Sequence, residues 1–416
     1  MPISPKSPAA VAYRVRQCVT LAGEGLARGT DLVRPLNLRD DVVLLAQGGR
    51  IRAVENFRSF RAPVGVRVED LGAVCMLPAL VNAHTHVQLS FLERGLEPAG
   101  TQRVVWNQGF VPWLRSLIPL LGTPLAPADV KRAVRAMRSC GIICVGDYTS
   151  HGVAVVHAAL REQGMDGVHF CEWFGFQVPP ESVLAERGGA YPAVVRTLLD
   201  ATPALQEACL APAGHALYST HPTLLQRAQR FCRAQGRPFS MHLAESPEEE
   251  EALLRGTGPL VDLYAERILP AHWQAPALRP VRAAAHWGLL GPDTLAVHGV
   301  HCNAADARVL AESGTALCLC PRSNALLAVG DAPVGLLMQA NIPLCLGTDG
   351  LSSAPNLDIW EDALWLHRQQ HVPLAALVRM LTVNGAHCLK KQHFGTLEVG
   401  KSSAFSLLPT EMLACL

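Results

Sequence analysis

From Val74 to Gly350 short apolar runs recur along the chain, each separated from the next by a stretch whose apolar residues have helical spacing. This alternation restricts the fold more than any other feature, because strand, amphipathic helix and strand in succession pack as a parallel β/α unit. Eight runs can be read in order: AVCMLPALVNAHTH, GIICVGDYTS, GVHFCEWFGF, CLAPAGHALYST, PFSMHLAES, LAVHGVHC, ALCLCPRSN and IPLCLGTDG. Eight is the number that closes into a (β/α)8 barrel. Helical stretches between them include DVKRAVRAMRSC, TLLQRAQRFCRAQ, ADARVLAESG and APVGLLMQAN, the last two stopping near Gly314 and Asn341. Two connections, 87–129 and 246–293, exceed what a β/α unit needs. Both follow runs that end in chemically capable residues, so binding loops or lids are expected there.

Ahead of this region, VAYRVRQCVTL, VVLLA, IRAVENF and VGVRVEDLG alternate with turn signals such as Gly48-Gly49-Arg50, which predicts a small antiparallel β unit over 11–75. A chain of 416 residues suits one large domain with such a satellite. Lysine and arginine total 36 against 35 acidic residues, without a basic run, so no nucleic-acid or membrane-surface partner is indicated. A small-molecule substrate is expected, and a homo-oligomer is left open. The thirteen cysteines, many inside apolar runs, suggest buried free thiols in a reducing cytosol. Cys318-Leu319-Cys320 reads as strand packing. MPISPKSPAAVAYRV lacks a signal-peptide core, and no apolar stretch reaches the roughly 20 residues that span a bilayer. A cytoplasmic location is therefore expected.

The carboxyl ends of the runs carry polar residues: His84 and His86 on the first, His215 on the fourth, His242 and Glu245 on the fifth, His298 on the sixth, Asn324 on the seventh and Asp349 on the eighth. Barrel enzymes place their chemistry at these ends. Histidines two apart on a strand share a face, so His84 and His86 can reach one ion. His242 and Asp349 complete a three-nitrogen, one-oxygen set with room for a water. A lone histidine is usually structural, but five at successive strand ends are not explained that way.

With these residues in place the chain resembles the amidohydrolase superfamily, in its cytosine deaminase, S-adenosylhomocysteine deaminase and chlorohydrolase-like branch. The matching pieces are Leu77-Pro78-Ala79-Leu80-Val81-Asn82-Ala83-His84-Thr85-His86, His242-Leu243-Ala244-Glu245, His298-Gly299, Cys320-Pro321-Arg322-Ser323-Asn324 and Gly347-Thr348-Asp349-Gly350. Thr382-Val383-Asn384-Gly385-Ala386 and Gly395-Thr396-Leu397-Glu398-Val399-Gly400-Lys401 look like that branch's closing helix and its return to the small domain. The resemblance implies an α/β fold, a (β/α)8 TIM-like barrel with a small β-sandwich built from the N- and C-terminal segments. The expected domains are 1–73 (first part of the small domain), 74–394 (barrel) and 395–416 (return). Lys401 is followed by Ser402-Ser403-Ala404-Phe405 where the branch usually has an acidic run, so a short last strand is expected.

Carried over residue by residue, the resemblance makes His84, His86, His242 and Asp349 metal ligands, Glu245 the proton shuttle and His298 a contact to the reacting oxygen. Asp349 is also expected to accept the water proton. Two-metal members of the superfamily bridge their ions with a carboxylated lysine on strand four, and none of the lysines, at 6, 131, 390, 391 and 401, is near CLAPAGHALYST. One divalent ion is implied, zinc first and ferrous iron as the alternative. His215 resembles a substrate-facing histidine, although the usual Pro-His pair is interrupted as Pro212-Ala213-Gly214-His215, and a structural role is its alternative. Arg322 either forks onto a substrate carboxylate or forms an internal ion pair. Glu172, among aromatic residues, is a candidate substrate contact, as is Asn324. Trp106, Trp113 and Trp173 contact a ring or ribose, or simply pack. Ser352, Ser353 and Asn356 line the pocket or cap the next helix, the cap being the favoured reading, and Glu248-Glu249-Glu250-Glu251 reads as a solvated helix start.

The expected reaction is hydrolytic deamination of an aminated purine, an adenine nucleoside derivative. Arg322 in the Cys-Pro-Arg-Ser-Asn motif resembles the aminodeoxyfutalosine deaminases of menaquinone biosynthesis, whose substrate carries a benzoate. Hydrolysis of a triazine-like or other aminated heterocycle is the alternative. A barrel that only binds is the alternative of another class, and the intact ligand set together with Glu245 argues against it.

Overall fold

The computed structural model describes residues 10–92, 104–178 and 209–413. Eight parallel strands form the large unit: β6 (Leu80–Thr85), β7 (Ile142–Thr149), β8 (Asp166–Trp173), β9 (Leu210–Gly214), β10 (Phe239–Leu243), β11 (Thr294–His298), β12 (Ala316–Leu319) and β13 (Leu344–Leu346). They pair in chain order as β6-β7-β8-β9 and β10-β11-β12-β13. The two seams are joined at the site itself: the His242 amide donates to the His215 carbonyl at 2.9 Å, and the Asp349 amide to the His84 carbonyl at 3.1 Å. Every residue of β6, β7, β9, β10, β11, β12 and β13 is buried, as expected for strands covered on both faces.

Helices follow the strands where the spacing placed them, among them Pro127–Ser139, Pro222–Ala234, Ala304–Ser313 and Val334–Gln339. Ala304–Ser313 has clear ends. Asn303 and Asp306 form a capping box at its start, and Gly314, at φ 73°, closes it.

The small unit is a six-stranded sheet of β1 (Val11–Val19), β2 (Leu38–Gln47), β3 (Arg50–Asn56), β4 (Arg67–Asp70), β5 (Cys75–Pro78) and β14 (Phe405–Leu407). Its hairpins β1-β2 and β2-β3 are antiparallel, but β4 and β5 both run parallel to β1. The departure from an all-antiparallel unit arises because the 57–66 connection does not turn back on β3. It carries the chain over to β1, where Arg67 pairs with Val11. The run AVCMLPALVNAHTH is two strands rather than one: Cys75–Pro78 joins the small sheet and Leu80–Thr85 opens the barrel. The last strand is short, three residues set antiparallel to β5. Phe405 packs edge-on to Tyr13, ring centroids 5.3 Å apart.

The described cysteines are all free, and Cys318, Cys320 and Cys345 are fully buried, which supports the packing reading of Cys318-Leu319-Cys320. No described helix is long and apolar enough to cross a membrane.

Candidate metal centre and its cavity

The carboxyl ends of the barrel strands bring five imidazoles together. His84 lies 4.9 Å from His86, 5.0 Å from His242 and 5.6 Å from His298 between ring centroids, and His215 lies 4.6 Å from His242. Asp349 Oδ1 stands 3.4 Å from His84 Nε2 and 3.6 Å from His86 Nε2. Both ring nitrogens of His84 are buried and have no hydrogen-bond partner. Burial depresses all five imidazoles, His84 and His215 to about 3, so each ring is neutral and offers a lone pair. A buried polar group without a partner is costly, and an ion is the partner this donor set fits. Ligand atoms of His84, His86 and Asp349, and of His84, His242 and His298, lie within 4.8 Å of one another.

The surrounding hydrogen bonds orient these groups. His242 Nδ1 is 3.1 Å from the His215 carbonyl, which can only accept, so Nδ1 carries the proton and Nε2 is left as a ligand. His298 Nδ1 meets Asn324 Oδ1 at 3.0 Å, which fixes that ring in the same way. Asp349 Oδ2 accepts from Ser323 Oγ at 2.6 Å and Ser353 Oγ at 2.8 Å, while Oδ1 accepts from the Gly350 amide at 2.9 Å; such donors favour the carboxylate form. Backbone strain is concentrated here too. Ala244, His298 and Asp349 have φ of 53°, 76° and 60°, a left-handed region that non-glycine residues rarely adopt. Gly347 permits the close approach of β13 to β6, since a Cβ there would lie 2.7 Å from the His84 Cβ.

Glu245 follows β10 and sits 3.4 Å from His298 Nε2. Burial, then the charges of Asp349 and Glu249, raise its carboxyl well above the usual range, so it is protonated at neutral pH. Glu249 corrects the expectation of a solvated acidic helix start: it is fully buried and accepts the Glu245 amide at 2.7 Å. Glu172 lies on β8, 3.6 Å from His242 Nδ1 and 4.0 Å from His86 Nδ1, and burial raises it to about 8. His215 lines the cavity with its ring 4.7 Å from that of Phe174 and tilted 30° to it, its Nδ1 2.8 Å from Ser219 Oγ.

Two residues of the seventh run are placed differently from the sequence reading. Arg322 and Asn324 do not end a strand but occupy the helix Pro321–Leu327. Arg322 is turned into the protein as an internal ion pair, not toward a ligand. Its Nε and Nη2 meet Asp362 Oδ2 at 3.0 and 2.9 Å, Nη1 meets Asn356 Oδ1 at 2.9 Å, and Nη2 also reaches the Asn356 and Asp358 carbonyls. With its donors so engaged, the expected contact to a substrate carboxylate is overturned. Arg322→Ala is expected to destabilise the fold by roughly 3–5 kcal/mol, the cost of leaving Asp362 buried and unpaired. Chemical denaturation would measure it; unchanged stability with weakened substrate binding would reinstate the ligand contact. Asn324 holds His298 by Oδ1, while its buried Nδ2 has no protein partner.

The cap reading of Ser352, Ser353 and Asn356 is also corrected, because Asp358 caps the next helix. Ser353 holds Asp349, Asn356 holds Arg322, and the Ser352 carbonyl accepts from Trp106 Nε1 at 2.6 Å and Trp113 Nε1 at 3.0 Å. Trp173 packs against Leu224. The site opens into a cavity of about 320 Å³. Its outer wall comes from helix Phe110–Leu117 and from Tyr264 to Ile268, within the two long connections that the sequence marked as binding loops.

The amidohydrolase family model matches residues 75–413. The chain belongs to the amidohydrolase family. Among its amidohydrolase relatives is the 5-methylthioadenosine/S-adenosylhomocysteine deaminase of Nitratidesulfovibrio vulgaris (strain DP4), 30% identical over 348 residues that cover 81% of this chain and 71% of the relative. Two solved structures share the fold. Helicobacter pylori aminofutalosine deaminase in complex with methylthio-coformycin superposes with a TM-score of 0.77 at 19% identity, covering 97% of this chain and 94% of that one. An adenosine deaminase from Xanthomonas campestris with bound zinc superposes with a TM-score of 0.73 at 20% identity, covering 98% and 87%. The amidohydrolase barrel and the small β unit beside it are thus the architecture of this chain.

Proposed function

We propose that this amidohydrolase removes the amino group of an adenine nucleoside derivative by hydrolysis, using one divalent ion held by His84, His86, His242 and Asp349. The observation that carries the reading is a buried Glu245, its carboxyl pushed up by burial, set 3.4 Å from His298 beside neutral histidines and the Asp349 carboxylate. The partnerless nitrogens of His84 fit a cation, and β9 ends in Gly214, with no lysine to bridge a second one. Zinc is the proposed ion, as in the zinc-bound Xanthomonas campestris relative. When bound, such an ion lowers the pKa of water from 15.7 to about 7 and so supplies the nucleophile at neutral pH.

The chain's own groups do the rest. Asp349 Oδ1, directed at His84 and His86, is placed to accept the proton of the attacking water. Glu245, as an acid, donates to the ring nitrogen beside the amine-bearing carbon; Asp349 then passes the proton it took from water to the amine as the C–N bond breaks, and the adduct hydroxyl, on becoming the carbonyl, returns a proton to Glu245. His298, fixed by Asn324, donates nothing from Nε2 while neutral, so it accepts from the attacking hydroxyl and orients it. His215 and Phe174 supply an aromatic edge for the base. Glu172, buried with Oε1 partnerless, is proposed as a substrate contact.

The test is ammonia release by zinc-loaded protein from adenosine, 5′-deoxyadenosine, 5-methylthioadenosine, S-adenosylhomocysteine, guanine, cytosine and aminotriazines. Release from the adenine nucleosides at the highest kcat/KM is expected. Preferential release from guanine, cytosine or an aminotriazine, or none at all, would sink the reading.

A further inference from the structure

On the faces of β7 and β8 that turn away from the cavity lies a polar array that the chemistry above does not use. Tyr148 and Phe170 point into the barrel, where their rings stand 4.6 Å apart and Tyr148 lies 4.1 Å from His84. Side chains alternate along a strand, so Asp147 and His169, each one residue earlier, point outward to the helix layer. They are register partners on the two paired strands, and both are fully buried. The helix over them, Val153–Glu162, otherwise brings Val156, Ala159 and Leu160 into the apolar core. A carboxylate buried in such a layer is costly unless its oxygens are hydrogen-bonded.

Those hydrogen bonds lead back to the metal centre. Asp147 Oδ2 stands 2.8 Å from His169 Nδ1, and Oδ1 accepts the Val87 amide at 3.1 Å. A carboxylate can only accept, so His169 Nδ1 carries the proton. The other ring nitrogen, Nε2, meets Nδ1 of the half-buried His157 at 3.3 Å. His86 lies one residue beyond β6, past the last pairing of that strand, Thr85 with Asp147. The peptide group that follows His86 is therefore held by the Asp147 side chain and not by the sheet. The backbone of Tyr148, the next residue of β7, takes a hydrogen bond from the His86 ring. Adjacent residues of β7 thus fix both the ring and the peptide of this one ligand.

We propose that Asp147 and His169 are positioning residues, a strut from the helix layer to the Val87 amide that sets His86 in place to bind the metal ion. Neither side chain lines the cavity, so the strut acts through His86 and not on the substrate. This rests on the ligand role proposed above for His86 and deepens it. Partners of this kind behind a metal ligand change metal affinity by about 10–100-fold when removed.

The test is cobalt binding by the full chain after its metal has been stripped. Competition with a chelator gives the affinity, and the visible absorption of bound cobalt reports its coordination geometry. His169→Leu and the isosteric Asp147→Asn are each expected to weaken cobalt binding by about 10–100-fold and to shift the visible bands. Chemical denaturation of the same samples shows that the protein measured is folded. His169→Asn places an amide donor where Nδ1 now stands and should recover most of the loss. Wild-type affinity and bands in either folded variant would overturn the proposal, as would a loss of stability alone. Should His169→Leu not fold, Asp147→Asn decides by itself. A wild type that binds no cobalt would remove the ligand role of His86 and the strut with it. Weakened, shifted cobalt binding in the variants, together with no ammonia release by the zinc-loaded wild type, would uphold the strut and remove only the deaminase reading.

Discussion

Asp349→Asn is expected to abolish ammonia release, lowering kcat/KM by at least about 10³-fold, and to leave purified protein with well under one equivalent of metal. The size follows from what the side chain does at once. It is the one carboxylate whose Oδ1 faces both His84 and His86, at 3.4 and 3.6 Å, and the amide that replaces it is neutral and a poor ligand. Ser323 and Ser353 already donate to Oδ2, so a substituted amide nitrogen at that position would meet two hydroxyls that must give up their present direction. The effect is local, because the barrel seam at this point runs through the Asp349 backbone amide and not its side chain. Elemental analysis beside an ammonia assay checks both halves. A full metal complement with unimpaired turnover in Asp349→Asn would remove Asp349 from the ligand set.

Glu245→Gln should separate the ion from the chemistry. Its kcat is expected to fall by roughly 10²–10⁴, the range for loss of a positioned acid–base group, while metal content stays at the wild-type level. The glutamine keeps the shape and the neutral charge that burial gives the protonated Glu245, and the backbone amide remains held by Glu249. A loss confined to KM would mean that Glu245 only binds substrate. Loss of metal from this variant would instead make the residue part of the ion's support.

The arrangement also bears on how such a site is kept together. The groups proposed to act lie on or just beyond β6, β10, β11 and β13, and four of them are steadied by a neighbouring residue: His298 by Asn324, His242 by the carbonyl of His215, Asp349 by Ser323 and Ser353, and the Glu245 backbone by Glu249. The left-handed backbone at Ala244, His298 and Asp349 is tolerated inside this net. Weakening one of these supports should therefore alter the site before it alters the barrel.

The sequence by itself determined the barrel and the convergence of its polar strand ends. Alternation of apolar runs and amphipathic stretches is a local property, and burying all of those runs leaves few arrangements other than closure. The position of His84, His86, His242, His298 and Asp349 at strand ends follows directly from that closure. What only the tertiary structure decided is the direction of side chains outside the strands. Arg322, Ser323 and Asn324 are consecutive, yet on a helical turn they point to Asp362, to Asp349 and to His298 respectively, and no pattern of residue types distinguishes those three directions beforehand. Glu249 looks like its acidic neighbours in the sequence and is buried only because its helix packs beneath Glu245. The outer wall of the cavity depends on how two long connections, far apart in the chain, fold over the same strand ends, a contact that local spacing does not encode.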